Sequence, residues 1–321
     1  MSVFNRNKDD KDLGFGTSGR SGRQRMINRD GRFNVHRSNF KLLYVYDIFI
    51  ELIKMSWSKF IVMVIIFYSV LNLFFALLYW YIGVENLTGI DPTNKWEAFM
   101  DAFFFSAQTL TTVGYGRIAP MHIPASTVAA IESLFGLMGF ALATGLLYGR
   151  FSRPVANILY SKNILVAPHK GMSALMFRIS NKSNNQLIDS EMTLAIAYQT
   201  QDDNGIFTTR YLALDLELKI VQYLPLSWTL VHLLDDKSPL YSWSKSDYEK
   251  YDIEFLVSFK GTDDTFMQNV HDRTSYRYNE MIWGAKFIRM FEPNKDGGTS
   301  LHLDWIDKYE NAELPNLIIN E

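Results

Sequence analysis

The feature that most constrains this sequence is an apolar stretch of 23 residues, Phe60–Ile82, without a single charged side chain. As an α-helix rising about 1.5 Å per residue it is roughly 34 Å long, enough to cross a hydrocarbon core of about 30 Å. Aromatic residues flank it, with Trp57 before its start and Tyr79 and Trp80 near its end, as at membrane interfaces. The stretch predicts a membrane-spanning helix, and the alternative is a buried helix of a soluble protein.

A second apolar stretch, 123–149, is also long enough to span and contains one charged residue, Glu132. Between the two stretches lies the apolar segment 98–110, which is too short to cross a bilayer and is typical of a re-entrant half-helix. This order of span, half-helix and span predicts one membrane domain over residues 60–153.

Lysine and arginine residues indicate how the spans are oriented. Twelve of them precede the first span, whereas the connection 83–122 contains only Lys95 and Arg117. Further cations, beginning with Arg150 and Arg153, follow the second span. Because such residues stay on the cytoplasmic side, we expect a multi-pass protein of the cell membrane with both termini cytoplasmic.

The N-terminal residues 1–46 form a polar segment whose first 25 or so residues are rich in glycine, serine and arginine and are predicted to be disordered. In the following segment, 47–59, the apolar residues Ile48, Leu52 and Met55 share one helical face. The segment is too polar to span, so it predicts a helix lying along the inner membrane surface. A solvated linker helix is the alternative.

Beyond Pro154 the hydrophobic period changes to two. Apolar and polar residues alternate over 192–199, 212–220 and 253–259, which predicts half-buried strands. About 150 residues of short strands are typical of a β-sandwich, so we expect an all-β domain over residues 154–321.

The composition argues against an enzyme. The chain has no cysteine, and its six histidines are scattered without metal-ligand spacing. There is no catalytic Ser/His/Asp set and no nucleotide-type glycine loop. The net charge of -2 gives no general attraction to nucleic acid.

The segment Thr111–Gly116 (TTVGYG) directly follows the predicted half-helix. Its TVGYG part is the known signature of potassium-channel filters, and physics explains the residue types. A potassium ion that loses its water needs replacement oxygen atoms, and Gly114 and Gly116 allow backbone angles that a Cβ penalises. The oxygens expected to bind K⁺ are the backbone carbonyls of Thr112, Val113, Gly114 and Tyr115, with the Thr112 hydroxyl as a further ring.

One chain cannot surround an ion, so the motif predicts a homotetramer. Tyr115 is expected to pack outward against the half-helix and brace the filter. The C-terminal end of the half-helix would point towards the pore axis, where its partial negative charge favours a cation.

Further motifs extend along the chain. They are DG-x-x-NV at Asp30–Val35, W-x-x-F at Trp57–Phe60, AFFFS-x-QT-x-TTVGYG at Ala102–Gly116, RFSRP at Arg150–Pro154, LSWT-x-x-H at Leu226–His232, SPLY at Ser238–Tyr241 and NE-x-IWG at Asn279–Gly284. Through these residues the chain resembles prokaryotic inward rectifier potassium channel (KirBac-type) subunits over about 30–314.

The resemblance implies an α-helical pore domain, with two transmembrane helices and a re-entrant pore helix, and a cytoplasmic immunoglobulin-like β-sandwich whose central tunnel extends the pore. It implies an inward-rectifier-type, potassium-selective homotetramer with no cofactor beyond the permeant ion. The absence of two external cysteines that animal relatives carry favours a bacterial inner membrane.

The resemblance also implies a cavity and a gate. Phe140, Thr144 and Tyr148 are spaced by four and share a helix face. Tyr148 matches the inner-gate position, where four rings could close the pore, although an interfacial tyrosine anchor is the alternative. Phe140 replaces the acidic residue of strongly rectifying members, so block by polyamines or Mg²⁺ and rectification are expected to be weak.

In the cytoplasmic tunnel, Asp189 matches an acidic blocker-binding position, and Lys260 replaces a second acid. Residues 261–268, with Gly261 and Met267, match a narrow loop that could form a second gate. An ordinary solvated aspartate and a plain surface hairpin are the alternatives.

A basic cluster near the inner surface is expected to attract anionic headgroups at about 1 kcal/mol per cation. Its members are Arg37, Lys54, Lys59, Arg150, Arg153 and Lys162. The resemblance suggests regulation by phosphoinositide-like lipids, with inhibition expected in prokaryotic members, whereas generic cytoplasmic flanking charge explains the same residues.

Two polar residues near the filter stand out. Gln108 occupies the position of a bracing glutamate in many relatives, and Glu132 is a functional candidate because charge is costly in a span. Two other functions remain open: a poorly selective cation channel, and a non-conducting membrane-anchored β-sandwich sensor.

Overall fold

The computed structural model describes Gly14 and residues 25–35, 45–154, 156–201, 205, 207–241 and 243–315. The chain divides into two compact units, Asn39–Arg153 and the combination of Met1–Ser38 with Pro154–Glu321. The first unit is helical and the second is rich in β-strands. The predicted disorder of the first 25 residues falls almost wholly outside the described residues.

The interfacial helix and the first span are separated by a short break. Helix α1 covers Val45–Lys54 and helix α2 covers Trp57–Ile82, whereas the sequence predicted boundaries at 59 and 60. Ser56 is extended, and its carbonyl accepts the first bond of α2 from the Phe60 N–H at 3.0 Å. The prediction started the span after Lys59 because it counted only uncharged residues. In the structure Lys59 lies in the first turn of α2, with its side chain exposed.

The half-helix α3 covers Lys95–Leu110 and begins three residues before the predicted start. The Asn94 side chain accepts hydrogen bonds from the N–H groups of Trp96 and Glu97, at 3.2 and 3.4 Å, and so caps the helix. This polar first turn was invisible to a search for apolar runs.

The second span, α4, covers Ile123–Phe151, two residues beyond the predicted end. Two short strands, β1 (Leu87–Thr88) and β2 (Ala119–Pro120), pair before it and close the connection between the spans. Both α2 and α4 are long and apolar enough to cross a membrane, yet only 17% and 11% of their most apolar windows are buried within one chain.

The strands of the β unit form two five-stranded sheets within the described residues. The first contains β6 (Leu187–Gln201), β7 (Phe207–Leu214), β8 (Ile220–Tyr223), β10 (Glu254–Asp263) and β11 (Gln268–Arg277). The second contains β3 (Ile158–Tyr160), β4 (Ile164–His169), β5 (Met172–Asn181), β9 (Ser227–Leu233) and β12 (Met281–Trp283). All pairs are antiparallel except β4 with β12.

Side chains from both sheets fill one core. Leu175 and Phe177 of β5 belong to the same buried cluster as Leu194 of β6 and Phe255 of β10. The predicted architecture, a helical membrane domain followed by a β-sandwich, is therefore confirmed.

The smaller elements complete this unit. A helix, α5 (Lys245–Lys250), precedes β10, β13 (Ala285–Phe287) pairs with β16 (Tyr309–Asn311), and β14 (Phe291–Pro293) pairs with β15 (Thr299–Leu301).

One strand prediction was wrong. The alternation over 212–220 predicted a single strand, but β7 ends at Leu214 and β8 starts at Ile220. Both strands run in the same direction along the same edge of β6, where Leu214 lies opposite Leu194 and Ile220 lies opposite Glu191. Residues 215–219 interrupt this ladder, and the Lys219 ammonium donates to the Asp215 carboxylate at 2.7 Å. The period of two continues through the interruption, although Leu218 is exposed.

Candidate functional site

Two backbone hydrogen bonds attach the start of the filter segment to the last turn of α3. The Thr112 N–H donates to the Thr109 carbonyl at 3.1 Å, and the Val113 N–H donates to the Gln108 carbonyl at 2.9 Å. These bonds satisfy carbonyls that the last turn of a helix leaves open. The start of the loop is thus fixed to the half-helix, and any movement of α3 moves the loop.

Every second residue of the loop has a positive φ angle. The angles are 59° at Thr112, 58° at Gly114 and 81° at Gly116. The conformational need for the two glycines is confirmed. Thr112 was not expected to join them, because a β-branched residue rarely adopts this conformation, and such outliers cluster at functional sites.

The predicted packing of Tyr115 against a half-helix is not made within one chain, and it stays a prediction. Its side chain is 79% exposed, and that of Val113 is also exposed. A large ring left open in a membrane-embedded loop needs a packing surface, and one chain does not provide it.

An ion pair that the sequence analysis missed joins the segment after the filter to the half-helix α3. The Arg117 guanidinium, directly after the filter, pairs with the Asp101 carboxylate of α3. Gly89 allows the same return segment to approach closely, because a Cβ there would overlap the Arg117 carbonyl. The available signal was two opposite charges on either side of the filter sequence.

The proposed cavity face of α4 is open in a single chain. Phe140 is 74% exposed, Tyr148 is 73% exposed, and Thr144 between them is exposed as well. Because they share one exposed face, the three side chains can line a cavity, contact lipid or pack against another copy of the chain. The assignment of Tyr148 as a gate stays a prediction.

Arg150, a predicted lipid contact, makes several contacts within the chain, and its lipid role stays a prediction. Its guanidinium donates to the carbonyls of Leu52 and Met55, at 2.5 and 2.6 Å, at the C-terminal end of α1. It also lies 4.6 Å from the ring centres of Trp57 and Phe60. A cation is favourable at the negative end of a helix and over aromatic rings. The Arg150 guanidinium therefore already has partners within the chain.

The other predicted lipid residues differ among themselves. Lys54, Lys59 and Arg153 are exposed. Lys162 belongs to the β unit, where its ammonium lies 3.3 Å from the Asp307 carboxylate. Arg37 lies outside the described residues. The Lys162 side chain is exposed as well, so four of the six predicted positions are exposed cations.

The predicted tunnel residues lie around a β-bulge. The register of β6 against β10 shifts between Lys260 and Thr262, where Asp189 has a φ of 46°. Asp189, Lys260 and Met267 are exposed, whereas Gly261 is buried.

The predicted loop 261–268 is shorter in the structure. β10 continues to Asp263 and β11 starts at Gln268, which leaves a four-residue tip. The buried Asp263 carboxylate accepts hydrogen bonds from the N–H groups of Thr265 and Phe266, at 2.9 and 3.0 Å. This local bonding extends the ladder into the predicted loop.

Two spanning helices, a half-helix and a loop of alternating backbone handedness define a pore-loop membrane protein, here with a β-sandwich unit. The family model of the inward rectifier potassium channel transmembrane domain matches residues 27–154, and that of the C-terminal domain matches residues 158–321. The chain belongs to the inward rectifier potassium channel family.

Individual relatives agree. The inward rectifier potassium channel Kirbac3.1 of Paramagnetospirillum magnetotacticum is 35% identical over 282 residues, covering 87% of this chain and 93% of that protein. The G protein-activated inward rectifier potassium channel 3 of Mus musculus is 27% identical over 319 residues, covering 92% and 79% respectively. The expected KirBac-type resemblance is confirmed: the chain is a membrane potassium channel and not an enzyme.

Proposed function

We propose that four copies of this chain form a potassium-selective pore lined by the backbone of residues 112–116. The observation that carries the proposal is the positive φ at Thr112, Gly114 and Gly116, alternating with ordinary angles at Val113 and Tyr115. Alternating backbone handedness turns successive carbonyls towards one side of the strand. A row of oxygens on one side suits a dehydrated cation on a fourfold axis.

Exposure supports the need for several copies. The apolar faces of α2 and α4 and the ring of Tyr115 are largely uncovered within one chain. In the tetramer, neighbouring copies would cover part of these surfaces and lipid the rest. Phe140, Thr144 and Tyr148 would then face the axis, with Tyr148 as the inner gate.

Anionic lipids would regulate the pore through the exposed cations Lys54, Lys59 and Arg153. Arg150 would instead join the end of α1 to the end of α4, only two residues after Tyr148. A headgroup that displaces α1 would then act on the gate helix through Arg150. Phe140 places no acid in the cavity, so rectification would be weak.

The test is flux from purified protein in liposomes, comparing K⁺ with Na⁺, with barium block and graded anionic lipid. We expect K⁺ uptake far above Na⁺ uptake, block by barium, and a response to lipid. Comparable K⁺ and Na⁺ uptake would identify a poorly selective channel, and no flux from either ion would favour a non-conducting sensor. Flux that ignores lipid composition would remove the lipid proposal alone.

Gly114→Ala tests the filter directly. A Cβ at positive φ costs about 1–2 kcal/mol in each chain, and four chains share one filter. We expect selective K⁺ uptake to fall to the vesicle background while the tetramer persists on size-exclusion chromatography. The matched control is Gly171→Ala, which also has a positive φ, with open space around it, in the turn between β4 and β5. Selective flux through the Gly114 variant would contradict the assignment.

A further inference from the structure

A buried polar cluster joins the three helices of the membrane unit. The Glu132 carboxylate of α4 accepts hydrogen bonds from the Tyr79 hydroxyl of α2 at 2.7 Å and from the Ser106 hydroxyl of α3 at 2.5 Å. The Ser106 hydroxyl also lies 3.2 Å from the Asn72 side-chain oxygen of α2. All four side chains have no exposed surface. We call Asn72, Tyr79, Ser106 and Glu132 the polar cluster.

Such a cluster is costly in an apolar setting. Burying a carboxyl group disfavours folding unless hydrogen bonds compensate, and an aliphatic side chain of similar size avoids that cost. Membrane helices gain little from apolar contact with each other, because lipid is equally apolar. Directed hydrogen bonds between helices therefore fix positions that apolar packing in lipid leaves loose.

The cluster acts on the part of α3 that leads into the filter. Ser106 lies one helical turn before Leu110, the last residue of α3. On α4, Gly136 lies one turn after Glu132, and a Cβ there would overlap the Leu110 carbonyl. Two successive turns of α4 thus contact two successive turns of α3, once through a hydrogen bond and once through direct backbone packing.

We propose that Glu132 is a positioning residue for the filter, which it controls through Ser106 without contacting the ion. The bond to Tyr79 fixes the carboxylate against α2, so α3 is located relative to both spans. Because the N–H groups of Thr112 and Val113 are bonded to carbonyls of α3, a displaced α3 displaces the first filter residues. This inference rests on the proposed function and deepens it.

The experiment uses the full-length protein in liposomes and removes one partner at a time. Ser106→Ala and Tyr79→Phe each delete one donor with little change in volume, and Glu132→Gln keeps an acceptor oxygen. The matched control is Ser133→Ala, since the Ser133 hydroxyl donates only within α4, to the Ala129 carbonyl at 2.8 Å. The readouts are the half-blocking concentration of barium, the ratio of K⁺ to Na⁺ flux, and thermal unfolding.

Ser106→Ala removes one hydrogen bond to the Glu132 carboxyl group, and the loss of one such bond corresponds to about a tenfold change in an equilibrium constant. We therefore expect the half-blocking barium concentration to rise about tenfold. We expect a lower K⁺ to Na⁺ ratio as well, a smaller change in Glu132→Gln, and none in Ser133→Ala. A purely structural role would lower the unfolding temperature and leave barium block and selectivity unchanged, which would overturn the inference.

The outcomes separate this inference from the proposed function. If the unmodified channel conducts K⁺ selectively and the hydroxyl variants match the Ser133 control, the inference fails and the function stands. If the unmodified protein shows no selective flux, the function fails, and hydrogen–deuterium exchange over 95–116 decides the inference. Faster exchange in Ser106→Ala than in Ser133→Ala supports positioning, and equal exchange overturns it. Should Glu132 variants not assemble, the two hydroxyl variants decide.

Discussion

The two units of this protein bury their apolar side chains in opposite ways. In the β unit, large side chains such as Phe177 and Phe255 are enclosed between two sheets of the same chain. In the membrane unit, most of the apolar surface of α2 and α4 is exposed within one chain. The difference teaches that the β unit has a complete core by itself, whereas the membrane unit leaves most of its apolar surface to be covered from outside the chain.

Where the membrane unit does bury side chains, it does so around the half-helix. Phe75, Tyr79, Phe105 and Ala125 form a small cluster where α2, α3 and α4 meet. The buried polar residues Ser106 and Glu132 lie in the same region. One chain therefore fixes its half-helix internally and leaves the outer faces of α2 and α4 uncovered.

The largest expected effect is a loss of stability when a side chain is truncated in the β core, compared with the same change on the exposed face of α2. Phe177→Ala in the β core should destabilise the protein by about 3–5 kcal/mol, because it leaves a cavity between the sheets. Phe67→Ala on the exposed face of α2 should cost less than about 1 kcal/mol, since lipid can fill the space. Denaturant unfolding of the full chain in detergent measures both. Equal losses would mean that the exposed face of α2 is as closely packed as the β core.

A second test probes the internal contact of the membrane unit. Gly136→Ala should disfavour the native packing by about 1–3 kcal/mol, because its Cβ meets the Leu110 carbonyl and must displace α3. Gly139→Ala, one turn along the same helix, has open space around its Cβ and serves as the control. Thermal unfolding and K⁺ flux report the difference, and indistinguishable variants would show that α3 and α4 do not approach this closely.

A third test asks which exposed face of α4 lines the cavity. Four carboxylates introduced by Phe140→Asp should attract multivalent cations and lower the half-blocking polyamine concentration about tenfold, since opposite charges interact strongly in a narrow pore. Phe140→Leu controls for the lost ring. Block that stays unchanged in the aspartate variant would place residue 140 away from the ion path.

The smallest effect concerns acid stability of the β unit. Burial lowers the pKa of His232 below its ordinary value of 6.5. Its ring contacts the Asp215 carbonyl at 2.7 Å and the Ser238 hydroxyl at 2.8 Å. Above pH 6.5 both folded and unfolded chains carry a neutral ring, so this group adds no pH dependence.

As the pH falls below 6.5 the unfolded chain binds the proton first, and stability decreases by at most about 1.4 kcal/mol per pH unit. Thermal unfolding between pH 7.5 and 5.5 measures the slope, and His232→Gln should flatten it. The same slope in that variant would assign the acid sensitivity to other groups.

The membrane architecture could be predicted from the sequence because it follows from local properties. An apolar run longer than the bilayer core, with no charge in the first span and one in the second, can only be satisfied as a helix, and this determined both spans. The ends were less certain, because the Asn94 cap and the exposed Lys59 set them by hydrogen bonding and solvation. The break in the strand predicted over 212–220 shows that a period of two does not by itself ensure an unbroken ladder, since β7 and β8 pair with the same strand on either side of the break.

The sequence by itself determined the two spans, the half-helix, the glycines of the filter and the class of the second domain. Each follows from hydrophobic period or backbone sterics within a few residues. The tertiary structure alone decided that Arg150 caps α1, that Asp101 pairs with Arg117, and that Glu132 bonds to α2 and α3. Arg150 and Leu52 are 98 positions apart, and no local rule fixes which distant polar groups meet when the helices pack.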